Sequence, residues 1–469
     1  MSGVHLPTLI GVLLVLALGS AALAPRSRTA DGFFRGWSEG GTAPGVLTLT
    51  LSQVTTWIFA RSLLNAGILG YFFGIAGVLA YTAYYGSFLT GWLITDHLRF
   101  RHGAVSVQTF LHDRFGRSGA LCFNVLVSLR LLSEVFANLL VVGIVFSAAG
   151  GAAQTWAIVA VAAVTLAYSM TGGLRASLRT DVFQMLLLVG LLLALVVIMA
   201  SHAQFEASAL LGSSPEFTSP GWILLAVALL QVLSYPLHDP VMMDRGFLAE
   251  RETTRRSFIH AFWIASLCIL AFGSLGVFAG LHAGEDGELL VTLERLMGPG
   301  AMLALAIALV ISAASTMDSV FSSVSKLVIV DMGAAQPTAR NGRVAMLAAC
   351  LGGLLLVLFG TDDLFAAVAV SGTASLFLTP IIVFCILGGR QVARWSLLTS
   401  FLAAMVGSVL YFLEDSGYIA WIGEATGLEH SYSKLLLVTM AILIVGFLSF
   451  WLGLRSEGEA GSRQPRSAS

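Results

Sequence analysis

Charged residues are scarce in this chain. Only 11% of its 469 residues are Asp, Glu, Lys or Arg, 57% are hydrophobic, and the formal net charge is -1. A soluble domain carries about 25% charged residues, so a water-covered globular surface is excluded. Cysteine is scarce too. Cys122, Cys268, Cys350 and Cys385 all lie in apolar segments, far apart and without metal-ligand spacing. That excludes a disulfide framework and a zinc site and leaves the thiols as small hydrophobes. There is no HExxH motif, no His/Cys cluster and no defensible nucleophile-base pair. No enzyme, organic cofactor, nucleic-acid partner or obligatory protein partner is expected.

What the chain has instead is long apolar runs. A helix needs about 20 apolar residues to cross a bilayer, which predicts thirteen spans. They lie near 6–24, 46–71, 73–97, 119–148, 154–171, 180–201, 221–239, 258–282, 300–330, 342–361, 364–388, 395–414 and 432–454. The first run lacks a basic leader and is followed by Arg26, Arg28 and Arg35, so it reads as a retained span. Of the 25 Lys and Arg, twenty fall in loops on one side of these spans and two (Arg295, Lys434) on the other; Arg61, Arg130 and Lys326 lie within spans. The positive-inside rule then places the N-terminus outside and the C-terminus in the cytoplasm. The expected fold is an all-α polytopic membrane protein. It consists of one transporter domain over residues 1–454, a disordered tail over 455–469, and the plasma (inner) membrane of a bacterium as its location.

A repeat is faintly visible. Spans 2–6 and 7–11 form two sets of five, and the first of each carries polar or helix-breaking residues halfway across. In span 2 these are Arg61-Ser62, Asn65-Ala66-Gly67 and Gly70; in span 7 they run from Ser234 to Pro240. Inverted five-helix repeats with broken first helices, here over a core of about 46–388, are one way to build a site at the bilayer midplane.

The most conspicuous polar stretch is Ser312 to Ser319. Ser312, Ser315, Thr316 and Ser319 recur at i, i+3, i+4 and i+7 and share a helical face, with Asp318 beside them. Such hydroxyls often bond their own helix or a neighbour. A mid-span carboxylate, however, needs a partner, a proton or an ion, and oxygen-rich clusters suit hard cations. Asp318 has three open readings: a second cation, a proton, or a pair with Lys326.

The segment from Tyr168 through Gly172-Gly173 and Thr180-Asp181 to Gln184 closely resembles a signature of the sodium:solute symporter family. Thr109 to Gly116, Asp239-Pro240 with Arg245 following, and Ser315-Thr316 are similar to three further motifs of that family, in the same order. The resemblance implies a leucine-transporter-like inverted-repeat core and sodium as the co-transported ion. It places one sodium on Ser312, Ser315 and Thr316, with backbone carbonyls at Trp57 and Ala60. It implies a second on Asp181, Ser315, Asp318 and Ser319. Aspartate at 318, where the family pattern has a hydroxyl, is a departure.

The substrate is expected between the two broken helices. Candidates are Arg61, Ser62 and Asn65 in span 2, with Gln231, Ser234, Tyr235, His238 and Asp239 in span 7. Arg61 can clamp a carboxylate or form a structural ion pair, for instance with Asp239. Tyr235 is a gate or a core aromatic, Arg130 and Glu134 make an i,i+4 pair, and the loop from Asp244 to Arg256 is read as solvated. The expected function is sodium-coupled import of a small solute, an amino acid such as proline or a carboxylate. A transporter-like membrane sensor and a sodium-independent facilitator or channel are the alternatives.

Overall fold

The structure, a computed structural model, describes residues 6–147, 150–284, 287–360 and 371–455. The described residues are helical apart from loops and one isolated bridge between Val392 and Leu454. Among the described residues, nine helices are long and apolar enough to cross a membrane, and shorter apolar helices cover Leu13–Leu23, Pro220–Gln231 and Gly372–Leu387. Each expected span coincides with described helix. The tail from 456 and residues 361–370, which include the start of span 11, lie outside the described residues.

Spans 2 and 3 meet at Gly74, which takes φ 61, a left-handed value that glycine tolerates without strain. Span 9 begins at a similar corner, Gly298 with φ 77, followed by Pro299.

Both first members of the repeats are broken. Span 7 breaks where the sequence says it should. Pro220–Gln231, Tyr235–His238 and Pro240–Gly246 are separate helices, each with proline at its first or second position, and the Asp239 side chain caps Met242 N–H at 3.0 Å. Span 2 breaks earlier than expected. Val46–Trp57 ends at Ile58, and the next helix starts at Ala60 after extended Phe59. Arg61, Asn65 and Gly67 therefore sit in continuous helix, which corrects the expected break. No proline or glycine marks the true one. Groups on other helices satisfy the freed backbone instead: Tyr85 Oη donates to the Trp57 carbonyl at 2.9 Å, Ser312 Oγ donates to the Ile58 carbonyl, and Ala60 N–H donates to Asn138 at 3.2 Å.

Span 8 (Arg251–Leu281) packs closely along span 2. A Cβ at Gly276 would run into the Gly67 carbonyl, and one at Gly280 into the Tyr71 carbonyl. Small residues let the two backbones approach, the usual device where lipid offers no hydrophobic drive.

Candidate cation and substrate site

Span 9 runs through the centre, and the residues Ser312 to Ser323 are buried. Its hydroxyls divide between two neighbours. Ser312 donates to the Ile58 carbonyl and Thr316 Oγ1 to the Thr56 carbonyl at 3.3 Å, so both face the break in span 2. These four oxygens could surround a small cation. The carbonyls meeting the helix are those of Thr56 and Ile58. Of the expected pair, Trp57 and Ala60, the Trp57 carbonyl instead accepts from Tyr85 Oη at 2.9 Å.

Ser315 turns toward span 6, donating to Asp181 Oδ1 at 2.9 Å. Ser319 lies within 3.5 Å of the other Asp181 oxygen. Asp318 accepts from Ser177 at 2.8 Å, Thr180 at 2.9 Å and Ser319 at 3.3 Å. The four residues expected at a second sodium site are thus brought together. Arg245 stands among them, fully buried, with Nη2 2.6 Å from Ser319 Oγ and 3.3 Å from Asp181 Oδ2. The reading of residues 244–256 as a solvated loop fails here. Arg245 points inward because the helix Pro240–Gly246 continues the broken span 7 into the bundle. Asp244 also turns inward, to Lys326 at 2.8 Å and Ser323 at 2.7 Å. Lys326 also holds Asp331 at 2.9 Å, so its partners are these two carboxylates and not Asp318.

A cavity of about 410 Å³ lies between the broken helices. Arg61, Ser62, Asn65, Gln231 and Tyr235 line it, as expected. Ser62 accepts from Tyr81 Oη at 3.0 Å and Gln231 from Tyr84 Oη at 2.9 Å. The cavity reaches Asp415 and Tyr432, where spans 12 and 13 meet. His238 and Asp239 are not on its wall. His238 is buried with its ring 5.4 Å from Tyr235, and Asp239 lies 3.7 Å from Arg130 while capping its helix. Ser234 is buried as well, donating to the Gln231 carbonyl at 3.1 Å.

The residue that sequence reasoning passed over is Arg130. It pairs with Glu134 as the i,i+4 spacing predicts, yet it also lines the cavity, its guanidinium 5.7 Å from the rings of Phe59 and Tyr235. An arginine inside a span was the available signal. Tyr81, Tyr84, Tyr411 and Tyr432 complete a tyrosine-rich wall. The lining offers the guanidinium groups of Arg61 and Arg130, the Asp415 carboxylate, hydroxyls and aromatic faces.

A bundle with two broken helices and a central cavity defines a secondary-transporter fold. The resemblance read from the motifs has support over part of the chain: residues 39–213 match the family model described as Sodium:solute symporter family. The fold is similar to that of a Na+-coupled sialic acid symporter in a substrate-bound outward-open state, with a TM-score of 0.72 and 16% identity. That match covers 96% of this chain and 98% of the other. A nucleobase-cation-symport-1 family transporter in a closed conformation matches at TM-score 0.56 and 13% identity, over 93% and 97% of the two chains. A manganese transporter of Eremococcus coleocola matches at 0.53 and 12%, over 87% and 94%. No curated protein matches the sequence.

Proposed function

We propose that this protein is a sodium-coupled symporter that imports a small organic solute bearing a carboxylate, such as proline or another amino acid, by alternating access. The observation that carries the reading is the convergence of Ser312 and Thr316 on the carbonyls of Ile58 and Thr56 at the break in span 2. A cation there would tie the two halves of span 2 to span 9. It would thereby order the start of the second half, where Arg61, Ser62 and Asn65 face the cavity. Sodium binding and solute binding would then favour the same arrangement, which is what coupling requires. In this reading the N-terminus is outside a bacterial inner membrane, the cavity faces outward, and solute is released past Asp181.

The test is uptake into proteoliposomes, with solutes chosen by a thermal-shift screen of amino acids and carboxylates with and without sodium. Uptake that needs an inward sodium gradient supports the reading; equal uptake without sodium refutes it.

A further inference from the structure

We propose that Arg245 is a tethered cation standing where a second sodium would bind, so that the chain binds one sodium ion and not two. The inference rests on the sodium-coupled reading above and concerns the ion count within it.

The oxygens in question belong to Asp181, Ser315, Asp318 and Ser319. Arg245 claims two of these side chains directly. Nη2 donates to Ser319 Oγ at 2.6 Å and to Asp181 Oδ2 at 3.3 Å, and also to Thr56 Oγ1 at 3.3 Å. Nε donates to Ser52 Oγ at 2.8 Å, and Ser52 in turn donates to Asp181 Oδ2. Nη1 is anchored on the Val241 carbonyl at 3.0 Å, one turn back on the same short helix. A hard cation needs several oxygens whose lone pairs face it. Here the lone pairs of Ser319 and of one Asp181 oxygen face N–H groups. In a buried site, a sodium against the same oxygens would also meet the full charge of the guanidinium.

Asp318 fits this account. It lies one serine away from the guanidinium, accepts from Ser177, Thr180 and Ser319, and is fully buried. With Asp181 it surrounds Arg245 with negative charge in a place that water does not reach, which a buried arginine requires. Arginine keeps its charge wherever it is buried. The place therefore stays filled for as long as Pro240–Gly246 remains docked on spans 2, 6 and 9.

The experiment is equilibrium binding of radioactive sodium to the purified full chain, which needs no solute. Wild type is expected to bind one ion per chain, and Ser312→Ala/Thr316→Ala none. Arg245→Gln is expected to bind two, and Arg245→Lys, which keeps the charge, one. Two ions in wild type overturn the proposal, as does one ion in Arg245→Gln. If Arg245→Gln does not fold, the wild-type count and the double variant decide. A wild-type count of one that survives the double variant means the ion lies elsewhere and also overturns it. No sodium binding in wild type refutes the sodium-coupled reading together with the inference, whereas a count of two leaves that reading standing.

Discussion

Ser315 and Thr316 are neighbours in sequence and serve different partners. One residue along an α-helix is a rotation of about 100°, enough to aim Thr316 at the Thr56 carbonyl and Ser315 at Asp181. Thr316→Ala is therefore expected to raise the sodium concentration for half-maximal binding about tenfold, roughly 1.4 kcal/mol. Sodium-dependent thermal stabilisation of the purified chain measures it. Arg130 makes a second residue-scale case. It is held by Glu134 and Asp239, all three buried. Removing one partner of a buried pair costs about 3–5 kcal/mol because the other charge is left uncompensated. Glu134→Ala is expected to lower the melting temperature in detergent sharply, and far more than Glu252→Ala, whose pairs with Arg255 and Arg256 are exposed.

At the scale of the element, the two breaks have different origins. Span 7 breaks through its own residues, since Pro236 and Pro240 lack the N–H a continuous helix needs and Asp239 caps the next turn. Span 2 breaks because spans 3, 4 and 9 supply partners for the Trp57 carbonyl, the Ala60 N–H and the Ile58 carbonyl. The contact of span 2 with span 8 holds its second half in place. Gly276→Val would push a branched side chain into the Gly67 carbonyl. The expected outcome is loss of the folded, monodisperse peak in detergent chromatography, while Gly190→Val, with nothing near its Cβ, leaves the peak intact.

The whole molecule is asymmetric about its midplane. The cavity reaches Asp415 and Tyr432 at one end. Toward the other end, adjacent residues of one short helix are fastened to span 9, Asp244 through Lys326 and Ser323, and Arg245 through Ser319. In the alternating-access reading this is a closed inner gate. Lys326→Ala would leave Asp244 and Asp331 without their shared cation. In reconstituted protein, a thiol introduced at Asn65 is expected to react with impermeant reagents from the Asp415 side. Adding Lys326→Ala is expected to shift that reactivity to the opposite side. Unchanged sidedness refutes the gate. The ion count also acts at this scale. One charge moved across 100 mV yields about 2.3 kcal/mol and a tenfold sodium gradient about 1.4. One sodium then sustains a few-hundred-fold accumulation, and a second would square it.

The all-helical membrane architecture, the break in span 7, the gathering of Asp181, Ser315, Asp318 and Ser319, and the cavity-lining places of Arg61, Ser62, Asn65, Gln231 and Tyr235 were legible in the sequence. The reason is physical: hydrocarbon tolerates so few polar groups that each one inside a span marks a site. Three features were decided only by tertiary structure. The break at Ile58, the inward turn of Arg245 and the place of Arg130 on the cavity wall all depend on partners supplied by other spans. A local pattern records which groups need a partner. It does not record which distant group supplies one, and packing alone brought Arg245 to the oxygens that had suggested a second ion.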